Sequence, residues 1–223
     1  MNIVYETNGK GFLGWIVELP GAYVRGETQE AARSKVPAEI AAYESWLDIE
    51  VTDRKPRGER VLQSNLTIED ADSDLLLDYD VADYASARDF ERDCDLALVS
   101  AKKTALIYEA CPDKDAVDPS KLRKTFYGDC YATIRAQFKH IVDVQLYYLK
   151  NIEASAAIGP DIVEGRLCTI EAIRAKYSAE GNRLYESPEE KWTVRKVMRR
   201  LIWHDRIHAR AIERMDKRLR SLR

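Results

Sequence analysis

The chain of 223 residues holds three histidines: His140 on its own, and His204 with His208 in the segment Trp203-His204-Asp205-Arg206-Ile207-His208. Residues four apart lie one turn apart on the same face of a helix, so the pair can act together. His140 is far enough upstream to belong to another helix, and all three imidazoles could converge on one metal ion. Zinc takes neutral imidazole nitrogens at ~2.0–2.1 Å in a tetrahedron, and three histidines leave the fourth position for water or substrate. That is the arrangement of a catalytic site rather than a closed structural one. Zinc or nickel is the divalent metal expected here, and iron or manganese would accept the same ligands. An H-x-x-x-H pair alone is often two ordinary histidines on a helix, so the weight rests on the third histidine and on the faces all three occupy.

Those faces follow from the helical periodicity that begins near Ala85. Four segments read as long helices: Arg88 to Ala110, Pro119 to Ile152, Pro160 to Lys176 and Pro188 to Leu222. Cys111-Pro112, Gly159-Pro160 and Gly181-Asn182 with Ser187-Pro188 separate them, in the order and at the lengths of a four-helix bundle over residues 85–223. The second segment has a break near Phe126 to Gly128. Ser187 and Glu190 read as a capping box opening the last helix, with Pro188 at its first position. At 100° per residue, His204 and His208 share a stripe with Val194, Val197, Leu201, Ala211 and Met215. His140 shares one with Phe126, Thr133, Ala136, Gln137, Val144 and Tyr147. Both stripes are expected to face the bundle interior, where three unpaired imidazoles would be costly and a divalent metal would satisfy them.

A helper acid or base is expected near such an ion. Asp143, three residues after His140, is the best-placed candidate, its alternative being an exposed salt-bridge partner. Asp205 points about 100° away from His204 and reads as a surface group or a support behind the ligands. Tyr147 and Gln137 flank His140 and could orient a substrate.

Residues 1–80 read as a small α+β module. Asn2 to Glu6 and Phe12 to Leu19 are strand-like runs joined by the turn Thr7-Asn8-Gly9-Lys10-Gly11, with a third short strand at Ala22 to Arg25. Thr28 is the expected cap of a helix whose apolar stripe is Ala31, Val36, Ile40, Tyr43 and Leu47, kinked or split at Pro37. Further strands are expected at Ile49 to Thr52 and Val61 to Leu66, followed by an acidic linker at Glu69-Asp70-Ala71-Asp72-Ser73-Asp74. That linker lacks the spacing of a calcium loop. The strand pair, the run Glu18-Leu19-Pro20-Gly21-Ala22-Tyr23-Val24-Arg25-Gly26-Glu27-Thr28 and the helix opening Gln29-Glu30-Ala31-Ala32 resemble the HicB-like antitoxin fold. Without a DNA-binding appendage, the resemblance implies an accessory or binding module rather than a repressor.

Composition narrows the function classes. With 45% hydrophobic and 33% charged residues the chain is expected to fold as a soluble protein. A net charge of −3 does not call for nucleic acid as a partner. The C-terminal bases Arg210, Arg214, Lys217, Arg218, Arg220 and Arg223 complement the dipole of a final helix. Cys94, Cys111, Cys130 and Cys168 are scattered, as reduced thiols are. No run approaches the ~18 apolar residues of a membrane span, and no signal segment opens the chain, so a cytoplasmic location without membrane partners is expected.

The segment Thr133 to Leu149 around His140 resembles the DinB-like superfamily, also called the DinB/YfiT-like metalloenzymes. So does Lys191-Trp192-Thr193-Val194-Arg195-Lys196-Val197 leading into His204-Asp205-Arg206-Ile207-His208-Ala209-Arg210-Ala211-Ile212. The resemblance implies a four-helix bundle, His140, His204 and His208 as the metal triad, and a homodimer paired through helix faces. Some members are thiol-dependent S-transferases or isomerases, which implies a low-molecular-weight thiol and a small-molecule substrate. A hydrolase that activates water at the same open position is the neighbouring alternative. The second reading is a non-catalytic binding or regulatory protein, in which the HicB-like module recognises a protein or nucleic acid and the bundle is a scaffold.

Overall fold

The computed structural model describes residues 1–125, 127–187 and 190–222. The chain opens with three antiparallel strands, β1 (Asn2–Thr7), β2 (Phe12–Ile16) and β3 (Tyr23–Gly26). Two helices follow, α1 (Gln29–Arg33) and α2 (Val36–Leu47). The chain then returns as β4 (Gly58–Gln63) to pair parallel with β1, giving the order β3-β2-β1-β4. Thr28 caps α1 by accepting from the Ala31 backbone N–H at 3.1 Å. A Cβ on Gly26 would lie 2.5 Å from the Ala32 nitrogen, so only glycine lets β3 turn so tightly into α1. Pro37 falls in the first turn of α2, where its missing N–H is harmless, and the expected helix is split there. The strand expected at Ile49 to Thr52 does not form. The Val51 N–H is satisfied instead by the Glu44 carboxylate at 2.8 Å, so it needs no neighbouring strand.

A helical region follows: the short α3 (Asp78–Val81), then α4 (Ala87–Glu109), α5 (Ile134–Asn151), α6 (Ile162–Glu180) and α7 (Val194–Ser221). Helices α4 and α5 each pack against both α6 and α7. The four long helices begin at side-chain caps, Ser86, Thr133, Asp161 and Thr193. The stretch expected to be helical from Pro119 to Ile152 divides. Pro119–Lys121 is a single 3-10 turn, and β5 (Lys124–Thr125) with β6 (Gly128–Asp129) forms a hairpin before Thr133 starts α5. The Ser187/Glu190 pairing exists but closes a different turn. The Glu190 N–H donates to Ser187 Oγ at 3.0 Å between β7 (Tyr185–Glu186) and β8 (Lys191–Trp192), and Thr193 is the true cap of α7. The placements expected of Phe126 and Pro188 lie outside the described residues.

Helix α7 joins the two halves. Its inner stripe, including Val194, Val197, Leu201, Ala211 and Met215, is buried as expected. Another face buries arginines against the sheet module and α3. Arg206 donates to the Gly21 carbonyl and to Glu39, and Arg199 makes a two-pronged pair with Asp80. Trp203 packs on Trp15 of β2, ring centroids 5.4 Å apart. The C-terminal bases are largely engaged as well, Arg210 with Glu39, Arg218 with Asp118 and Arg220 with Asp216. No helix among the described residues is long and apolar enough to cross a membrane.

Candidate metal centre

The three histidines meet where α5 crosses α7. One ring nitrogen from each lies within 4.8 Å of those of the other two. His140 Nε2 is 3.0 Å from His204 Nε2, and the His204 and His208 ring centroids are 4.2 Å apart. The local reason is regular: α7 is one uninterrupted helix, so the four-residue spacing stacks its two imidazoles on one face. Thr133 fixes the start of α5 and thereby the rotation that aims His140 at them.

Two of the rings are held from behind. The Tyr131 hydroxyl lies 2.9 Å from His140 Nδ1, and its ring stacks on the same imidazole. That leaves Nε2 of His140 directed at the centre. The Gln137 carboxamide meets His208 Nδ1. Its Oε1 is buried with no hydrogen-bond partner among the described residues. With the amide turned so that Oε1 accepts from Nδ1–H, that orphan is satisfied and His208 Nε2 becomes the free lone pair. His204 has no such support among the described residues, its buried Nδ1 meeting no hydrogen-bond partner among them.

The donor set fits a divalent cation. A tetrahedral ion with ~2.05 Å bonds needs its nitrogens ~3.3 Å apart, close to the spacing of the nearest pair here. Metal ligation also needs neutral imidazoles, and all three are biased that way. Burial pushes His140 down to about 4, with Asp143 opposing the shift. Burial also lowers His204 and His208 well below the ordinary histidine value, helped at His204 by His208, His140 and Arg200 and at His208 by His140 and Lys121.

The three imidazoles open onto a cavity of about 610 Å³. Its aromatic wall is Tyr127, Tyr131, Tyr147, Tyr148 and Trp203. Its far wall is the segment read from sequence as a solvated acidic linker, and that reading is corrected. Ala71 and Ser73 are buried, Asp70 pairs with Arg123, and the Asp74 carbonyl accepts from the buried Lys196 ammonium at 2.7 Å. The segment is held down by these contacts and carries part of the cavity lining.

Asp143 lines this cavity, but its carboxylate is paired with Lys139 and its side chain is 54% exposed, so it stands at the rim. Asp205 is no surface group. It is fully buried and forms a two-pronged ion pair with Arg166 of α6, both contacts at 2.9 Å, tying α6 to α7. Gln137 bears on His208 rather than on its own neighbour His140, because α5 and α7 cross at that level. Tyr147 is a half-exposed wall residue.

Sequence reasoning missed Tyr131 and Arg200. Tyr131 precedes α5 in an irregular stretch where helical periodicity says nothing. Arg200 carried a readable signal, since it stands four residues before His204 on the same face, and it lines the same cavity. Comparison of the chain with protein-family models, with curated proteins and with solved structures returned no match.

Proposed function

We propose that the chain is a metal-dependent enzyme of the DinB-like kind, its four long helices forming the four-helix bundle of that superfamily, with thiol-dependent group transfer as its reaction. The observation that carries the reading is the convergence of all three histidines on one wall of an aromatic-lined cavity. When bound, a divalent cation such as zinc or nickel supplies the Lewis acidity that turns a coordinated thiol into a nucleophile at neutral pH. His140, His204 and His208 would hold it. Tyr131 and Gln137 fix the orientation of two of those rings. Tyr148 and Trp203 would exclude water from the inner end of the cavity, and Asp143 at the rim is the proposed acceptor of the thiol proton, a role for which it would have to leave Lys139. The N-terminal module, HicB-like by resemblance, supports this reading by contributing the acidic wall through the segment that follows β4.

The test is conjugation of a low-molecular-weight thiol to an electrophilic aryl halide by the zinc-loaded protein, wild type against His140→Ala. The expected outcome is a zinc-dependent rate that falls by at least about a hundredfold in the variant. A rate that ignores both zinc and the substitution would leave the non-catalytic reading, a scaffold carrying a recognition module.

A further inference from the structure

The cavity holds a second feature that the histidines do not explain. Arg200 is 8% exposed and lines the cavity one turn before His204 on α7. A guanidinium carries five N–H donors, and burying them without acceptors is costly. Yet Arg200 makes no hydrogen bond among the described residues, and its Nε and Nη1 are buried without a partner. The nearest carboxylate, Glu190, is 3.9 Å away and is held by Lys196 at 2.9 Å instead. The guanidinium lies over the Trp203 ring at 4.6 Å, which fixes its plane. The neighbouring buried arginines of α7 also keep unpartnered donors, but each forms a close ion pair, Arg199 with Asp80 and Arg206 with Glu39, whereas Arg200 has no carboxylate closer than 3.9 Å among the described residues.

We infer that Arg200 is a specificity-determining anchor for a carboxylate on the substrate, so that the site takes a small molecule bearing a monoanionic carboxylate at one end and its metal-seeking atom at the other. The inference rests on the reading of this cavity as the substrate site. Nε and Nη1 are sealed against solvent, so the donor left for a ligand is Nη2, which makes no hydrogen bond among the described residues and stands 3.9 Å from Glu190; its charge-assisted N–H suits a carboxylate oxygen. Four residues of helix set the anchor about 6 Å from His204 along the axis, a span that a short carbon chain covers. Glu6, Asp72 and Glu190 lie near Arg200 and are offset by Lys196 and Arg199, so the surroundings add no net positive charge beyond that of Arg200 itself, which suits a single carboxylate.

The experiment titrates the cobalt-loaded protein with 3-mercaptopropionate and with its neutral isostere 3-mercaptopropionamide, following both the cobalt absorption and tryptophan fluorescence. The expected result is at least about tenfold tighter binding of the carboxylate, the ratio that charge-assisted hydrogen bonds supply. That ratio should collapse towards one in Arg200→Gln at unchanged cobalt stoichiometry, and Arg200→Lys should keep part of it. Equal affinity of the two ligands for the wild type, or the full ratio retained in whichever variant folds, overturns the assignment. Cobalt stoichiometry reads the metal site separately. If the protein takes up no cobalt, the metal reading fails while the fluorescence titration still decides whether Arg200 selects the carboxylate.

Discussion

Gln137 on α5 and His208 on α7 touch through the carboxamide and Nδ1, so a residue on the helix that carries one histidine orients a histidine on the other. The contact ties the relative position of the two helices to the direction in which His208 points. Outer partners of this kind fix the tautomer and the ring plane of a metal-binding imidazole.

Replacing Gln137 with leucine is therefore expected to lower zinc affinity by about 10–100-fold, because His208 loses the group that holds its Nδ1. A competition titration against a chromogenic chelator measures this. Unchanged affinity would show that the contact is packing alone.

The metal-free protein should lose stability on the acid side of neutrality. Burial places the His140 pKa at about 4, below its ordinary value of 6.5. His204 and His208 are lowered too. Between the lowered and ordinary values the unfolded chain binds protons that the folded chain refuses, so stability is full above about pH 6.5 and falls as pH drops towards 4. Asp143, facing His140, softens the effect, whereas Lys121 near His208 and Arg166 and Arg200 near His204 strengthen it. Urea midpoints measured across this range should decline less in His140→Gln than in the wild type.

The buried Arg166–Asp205 pair gives a control away from the cavity wall. Removing one partner leaves an uncompensated buried charge, so Asp205→Ala is expected to cost about 3–5 kcal/mol. The double substitution of both residues by leucine should cost less than the single change. Chemical denaturation of the single and double variants decides, and additive losses would contradict the account of the pair as one unit.

Gly21 marks where the sheet module touches α7. Its φ is +85°, and a Cβ there would lie 2.7 Å from the Trp203 backbone nitrogen and 2.7 Å from Ile202 Cγ2. Gly21→Ala should destabilise by about 1–3 kcal/mol from the backbone conformation alone. The collision with α7 adds to that. A thermal melt checks it, and a wild-type Tm would show that the module can shift away from the helix freely.

The long helices were legible in the sequence from their apolar periodicity and the turn residues between them, and the inner face of α7 was legible with them, although its cap was not. The stripe holding His204 and His208 is the clearest case. Legibility failed where local signals have two outcomes. Ser187 and Glu190 pair in a hairpin turn as readily as in a capping box, and Ile49 to Thr52 is β-rich yet its Val51 amide finds a side chain. The cavity's far wall was hidden for a different reason. Acidic residues between two modules look like a linker until Arg123 and Lys196, distant in sequence, are seen to hold them. Asp205 shows the same limit in reverse, since burial of a carboxylate depends on a partner, Arg166, on another helix.

Whether His140, His204 and His208 form one metal site is decided by the metal content of the purified protein after equilibration with zinc at neutral pH and removal of the excess. About one zinc per chain is expected in the wild type. His204→Ala should lose that zinc while retaining the helical circular dichroism. A wild-type protein that holds no stoichiometric metal, or a variant that holds as much as the wild type, would contradict a three-histidine site.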